Sequence, residues 1–192
     1  MNDRIKNVKT EILCKNWHTL KKVTFEYLQE DGTYQTQSRE AYDRGNGAVI
    51  LLYNKEEKSV ILTKQFRMPT YINGNNDGMM IEACAGLLDN DNPQDCAKRE
   101  TEEETGYKIN AIKKVFEAYM SPGSVTEILY FFVAEYAKEM KVNEGGGLAS
   151  EHEEIEVMEM SFEEALHKIE TGEIKDAKTI MLIQYLRLKN IL

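Results

Sequence analysis

The chain has 192 residues, 42% hydrophobic and 30% charged, an ordinary globular balance with enough length for one sizeable core. A formal net charge of −9 argues against a nucleic acid polymer as partner, because a phosphate backbone needs a basic surface. An acidic chain can still act on a small phosphate ester when metal ions stand between the two.

No apolar run approaches the ~18 residues of a membrane span, and the opening MNDRIKNVKT lacks the apolar core of a signal peptide. The expectation is a cytoplasmic protein that does not engage the membrane. Cys14, Cys84 and Cys96 have neither CxxC nor zinc-type spacing, so they read as reduced, buried thiols acting as small apolar residues.

In chain order, KKVTFEYLQEDGTYQTQSREAYDRG reads as two strands joined at Asp31-Gly32. GAVILLYNKEEKSVILTKQFR repeats the pattern around a charged turn at Asn54–Lys58, and GMMIEACAG reads as one short strand. A helix within 85–107 follows, then the strand-like AIKKVFEAY and EILYFFVAEY, then EIEVMEM with period two. Ser161 and Glu164 form a capping box that opens a helix at Phe162, and a last helix runs from Ala177 to Leu188. This order predicts a mixed α+β domain, with residues 1–43 as a small β unit and 44–192 as the main domain.

The helix within 85–107 carries the chemistry. Asn92 suits an N-cap, Pro93 the first helical position and Gly106 a left-handed C-cap. At 100° per residue, Glu100, Glu103 and Glu104 fall within an arc of about 100°. Glu102 points away, one turn beyond Lys98, where an exposed ion pair can form. Like charges one turn apart repel by a few tenths of a kcal/mol. Converging carboxylates suit hard cations such as Mg²⁺ or Mn²⁺, and the alternative is a solvated acidic helix face.

Gly86, Arg99, Glu100, Glu103, Glu104, Gly106 and Tyr107, in the order G-x12-RE-T-x-EE-x-GY, resemble the Nudix box, G-x5-E-x7-RE-U-x-EE-x-GU with U aliphatic. Three departures stand out: Asn92 replaces the first glutamate, the interval from Gly86 to Arg99 is one residue short, and Thr101 replaces an aliphatic residue. KQFR (64–67), EACAGLLD (82–89), YMSPGSVTE (119–127) and GLASEHEEIEV (147–157) resemble the ADP-ribose pyrophosphatase branch of that family. Within the branch, REAYDRGNGAVILLYN and TGEIKDAKT are most similar to the bacterial group that acts on GDP-mannose.

The resemblance implies an α/β/α sandwich with a mixed sheet, preceded by an antiparallel β unit whose strands swap across a homodimer. It implies Mg²⁺-dependent hydrolysis of the pyrophosphate bond of a nucleoside diphosphate sugar, best GDP-mannose, to GMP and mannose 1-phosphate. ADP-ribose or another nucleotide sugar is the alternative substrate, and a non-catalytic nucleotide-binding regulatory domain the alternative of another class. Glu100 and Glu104 would be the principal metal ligands, with Glu103 in support, the Ala85 carbonyl completing the sphere, and an acidic residue of the 147–157 loop joining them. That residue, as ligand or base, would be Glu153, with Glu151 as second choice.

Arg67 would contact phosphate, and Gly86, Leu87, Glu104, Glu127, His152 and Lys178 would line the substrate. Ser38, Arg39 and Glu40 would reach the nucleotide of the other subunit. Trp17 suits either a dimer interface or stacking on the base, and stacking is the expectation. Gly145–Gly147 predict a mobile loop.

Overall fold

A computed structural model describes residues 3–148, 150 and 152–192. The chain packs as two compact units, one of residues up to Asn46 together with Tyr119–Ile128, the other of Gly47–Ala118 and Leu129–Leu192.

The first unit is an antiparallel sheet in the order β1 (Ile5–Lys15), β2 (Thr19–Leu28), β3 (Tyr34–Asp43). The Asp31-Gly32 turn closes the β2–β3 hairpin, with Gly32 left-handed at φ 82° and Asp31 Oδ1 accepting from the Thr33 N–H. β1 is not expected from the sequence. Its register shifts twice against β2, between Lys6 and Lys9 and between Ile12 and Cys14, so its apolar residues do not alternate. The 119–128 segment is tied to β3 by Tyr42 N–H to the Ser124 carbonyl and Thr126 N–H to the Tyr42 carbonyl.

Among the described residues, the second unit is built on a seven-stranded mixed sheet. Its main path is β10 (Glu156–Ser161), β5 (Ser59–Phe66), β4 (Gly47–Asn54), β9 (Ile128–Glu135), β8 (Lys113–Tyr119), and β4 and β9 run parallel. The expected single strand in GMMIEACAG is two: β6 (Met79–Glu82) pairs with β5, and β7 (Cys84–Leu87) pairs with β4. The break falls at Ala83, whose N–H donates to Thr179 Oγ1 at 2.6 Å, so the chain crosses from one partner strand to the next there.

The helices are α1 (Met68–Ile72), α2 (Pro93–Glu100), α3 (Phe162–Glu170) and α4 (Ala177–Leu188). The short α1 has no counterpart in the sequence reading, whereas α4 has its expected bounds. Ser161 Oγ caps α3 by accepting from the Glu164 N–H at 3.1 Å. Alternation along β4 divides the core. Ala48, Ile50 and Leu52 pack with Cys96 and Ala97 of α2, and with Phe132 and Ala134. Val49 and Leu51, fully buried, take the other face by the period of a strand. Helix α4, with Leu182, Ile183 and Leu186 buried, also packs on β4. No helix among the described residues is long and apolar enough to cross a membrane.

Candidate active site

The site grows from the join between β7 and α2. β7 is held against β4, Ala85 opposite Val49 and Gly86 opposite Ala48. Asn92 Oδ1 accepts from the N–H groups of Gln94 and Asp95, both at 3.1 Å, and Pro93 takes the first helical position, as the sequence predicts.

Beyond Glu100 the expected α-helix widens into a π-helical turn over Thr101–Thr105. Thr101 Oγ1 donates to the Ala97 carbonyl at 2.6 Å and Thr105 Oγ1 to the Thr101 carbonyl at 2.5 Å. Hydroxyls that bond back to the preceding turn compete with the regular ladder, and π turns recur at functional sites. Gly106 closes the turn at φ 78°. The altered winding also changes a pairing: Glu102 meets Lys108 at 3.4 Å instead of Lys98.

Glu104 is 2% exposed and its Oε2 has no hydrogen-bond partner. Burial pushes its carboxyl up to about 8, a hydrogen bond from Cys84 opposing and the charges of Glu100 and Glu153 adding. Burial likewise pushes Glu100 up to about 7, opposed by Arg99 and reinforced by Glu103. Cys84 and Cys96 are buried as expected, whereas Cys14, on β1, is exposed; the Cys84 thiol is pushed well above its ordinary value by burial and by Glu104. Arg99 substitutes for external charge, with Nη1 2.9 Å from both Glu100 and Glu103 and Nε 3.1 Å from Asp91.

Among the described residues no three His, Cys, Asp or Glu side chains converge at ligating distance. The donor set nevertheless fits a hard cation: two crowded carboxyls that burial disfavours as anions, one oxygen without a partner, and a glycine beside them. A Cβ at Gly86 would overlap the Glu100 carboxyl, so only glycine leaves that carboxyl where it is.

Gly145–Gly147, expected to be mobile, take left-handed φ values of 69°, 105° and 81°, and the last two are bonded to the π turn. Gly146 N–H donates to the Glu104 carbonyl at 2.9 Å and Gly147 N–H to the Glu103 carbonyl at 3.1 Å. Glu153 Oε2 accepts from the Leu148 N–H at 3.1 Å, and its charge acts on both Glu100 and Glu104. His152 is exposed, at φ 58°. Glu151 lies outside the described residues.

Arg67 Nε donates to Glu82 at 2.7 Å, and Lys178 Nζ reaches the other oxygen of Glu82 at 2.5 Å and Asp176 at 2.8 Å. Glu82 is absent from the candidates drawn from the sequence. A lone acid in the otherwise apolar MMIEACAG was the available signal, since a carboxylate inside a strand is buried only with a partner.

The remaining candidates lie in the first unit. Trp17 is 90% exposed and stacks beside His18, ring centres 6.0 Å apart. Ser38 Oγ lies 2.8 Å from Thr24 Oγ1, and the Arg39 guanidinium bonds the Ser38 carbonyl and Gln37. Arg39 and Glu40 line a cavity of about 540 Å³ with Tyr119 and the Pro122–Thr126 loop. Glu127 faces Arg44 at 3.5 Å.

Comparison with known proteins matches residues 4–42 to the model described as the GDP-mannose pyrophosphatase NudK N-terminal domain, and residues 43–183 to the NUDIX domain. Curated relatives named GDP-mannose pyrophosphatase include one from Yersinia enterocolitica, 55% identical over 192 residues with both chains covered in full. One from Cronobacter sakazakii is 53% identical over the same full span. Another, from Yersinia pestis, is 55% identical over 185 residues, covering 96% of this chain and 92% of its own. With the glycine and the RE…EE carboxylates in place and residues 43–183 matched to the domain, the chain belongs to the Nudix family of hydrolases.

Proposed function

We propose that the protein hydrolyses the pyrophosphate bond of GDP-mannose, giving GMP and mannose 1-phosphate, with Mg²⁺ as its metal and Mn²⁺ as a substitute. The observation that carries this reading is the geometry of the carboxylate pair: Glu100 lies against Gly86, and Glu104 is buried with one oxygen that has no hydrogen-bond partner. Full-length identity of 53–55% to proteins named GDP-mannose pyrophosphatase supports the choice of substrate.

Glu100 and Glu104, with the Ala85 carbonyl and Glu153, would hold the metal. When bound, the metal supplies positive charge against the diphosphate and polarises a phosphoryl oxygen. Glu153 accepts the proton of the attacking water, with Glu151 as the second candidate and Glu103 in support through Arg99. Arg67 holds a phosphate oxygen pair and steadies the charge that moves during displacement. Gly86 and Leu87 let the substrate approach the backbone. Glu127, His152 and Lys178 border it.

The protein works as a cytoplasmic homodimer in this reading. Ile5, Val8, Ile12 and Leu13 leave β1 with exposed apolar side chains that a second copy would cover. Ser38, Arg39 and Glu40 would then serve the partner's nucleotide, and Trp17 would stack on the base. A panel of nucleoside diphosphate sugars with Mg²⁺, scored for monophosphate release, tests the reaction: GDP-mannose should be turned over fastest. Preference for ADP-ribose would replace the substrate, and no turnover of any member would sink the hydrolase reading. A stable monomer in sedimentation at micromolar protein would remove the shared site.

A further inference from the structure

Among the described residues, Glu82 is the one carboxylate near the site that is both buried, at 5% exposure, and fully paired. Its two oxygens divide between two cations, Oε2 to Arg67 Nε and Oε1 to Lys178 Nζ. Lys178 is in turn held by Asp176, and Asp176 caps α4 by accepting from the N–H and hydroxyl of Thr179. Thr179 Oγ1 also accepts the N–H of Ala83, the residue beside Glu82. The chain of bonds therefore closes on itself, from the break between β6 and β7 through the start of α4 and back.

Only the Nε edge of Arg67 is used in this ring; among the described residues its two terminal nitrogens have no hydrogen-bond partner. Its positive charge acts on the Glu104 carboxyl, so the guanidinium lies within electrostatic reach of the π turn. A guanidinium anchored through Nε presents its terminal edge as a fork suited to two phosphate oxygens, and anchoring removes the rotamer freedom that binding would otherwise have to restrict.

We propose that Glu82 is a positioning residue that acts through Arg67, aiming the guanidinium at the diphosphate of the substrate, with Lys178 and Asp176 as the strut that fixes Glu82. The role rests on the functional reading above. Glu82 itself touches no substrate.

The test is a double-mutant cycle on Arg67→Ala and Glu82→Gln, read by the affinity for GDP with Mg²⁺ in calorimetry and by kcat and KM for GDP-mannose. Arg67→Ala is expected to weaken GDP binding about tenfold or more, the loss of a charge-assisted pair. Glu82→Gln should reproduce most of that loss and raise KM, and the double variant should match Arg67→Ala within about twofold. A merely structural role would lower the active fraction and leave Kd and KM unchanged.

Unchanged GDP affinity in Glu82→Gln, or losses that multiply in the double variant, would overturn the proposal. Should Glu82→Gln fail to fold, Glu82→Asp keeps the charge and draws it back by one methylene. Its defect should vanish on the Arg67→Ala background, and a defect that persists there is equally fatal. The calorimetric arm needs no turnover, so a protein that binds GDP but hydrolyses nothing would refute the hydrolase reading while the cycle still decides Glu82. A native chain that binds no GDP overturns the assignment of Arg67 and Glu82 together.

Discussion

Glutamine in place of Glu104 should make the unliganded protein more stable at pH 8 while abolishing hydrolysis. The carboxyl is raised from 4.5 to about 8 by burial. A folded-state value above the unfolded one means that its contribution to stability is fully present below pH 4.5 and is lost as pH rises through 8. A shift of roughly 3.5 units corresponds to a ceiling of about 5 kcal/mol, of which about 4 is already lost at pH 8. Relaxation and water entry around the ionised group reduce this, so the expected gain is about 1–3 kcal/mol.

Urea denaturation in the presence of a chelator, at pH 5 and pH 8, measures it. The variant should gain at pH 8 and lie within about 1 kcal/mol of the native chain at pH 5. Added Mg²⁺ should stabilise the native chain and leave Glu104→Gln unmoved. A variant no more stable than native at pH 8, or a gap independent of pH, would refute the burial argument. Wild-type turnover in the variant would refute the metal assignment.

Gly86→Ala should fold, since no strained backbone is involved, yet lose about a hundredfold or more in kcat/KM, because a misplaced catalytic group costs on that scale. Full activity in a steady-state assay would mean that Glu100 can move aside freely. Thr101→Val removes the buried hydroxyl bond to the Ala97 carbonyl and should cost about 1 kcal/mol in thermal unfolding. A more stable variant would show that the hydroxyl has no part in holding the π turn. Chelation should stop GDP-mannose hydrolysis and Mg²⁺ should restore it. The apparent metal affinity should tighten between about pH 6 and 9 as the raised carboxyls give up their protons, and calorimetry showing a flat profile would count against both raised values.

Much of the site was legible because its parts are local in sequence. Asn92, Pro93 and Gly106 announce the helix and its ends through backbone chemistry that needs no neighbour, and Glu100, Glu103 and Glu104 share a face by their spacing alone. The π turn was not legible. Its hydroxyl bonds from Thr101 and Thr105 compete with an ordinary helical ladder, and the outcome depends on burial that only the packed core supplies. The exchange of Lys98 for Lys108 as the partner of Glu102 follows from that turn.

Glu82 was hidden for a different reason. Its partners lie 15 and 96 residues away along the chain, and nothing in MMIEACAG says which cations will reach it. β1 escaped for a third, since its two register shifts break the alternation by which strands are recognised. Gly145–Gly147 show the limit most plainly. Three glycines announce backbone freedom, but whether that freedom leaves a loose loop or bonds to the carbonyls of Glu103 and Glu104 depends on what stands opposite.

The sequence by itself determined the loop–helix unit, the crowding of its carboxylates and the class of ligand they suit, because capping, helical spacing and like-charge repulsion act within a few residues. Tertiary structure alone decided how strongly those carboxyls resist ionisation, which glutamate anchors Arg67, and what the glycine loop holds. Those outcomes depend on desolvation and on groups far apart in the chain, which exist only once the sheet and its helices have packed.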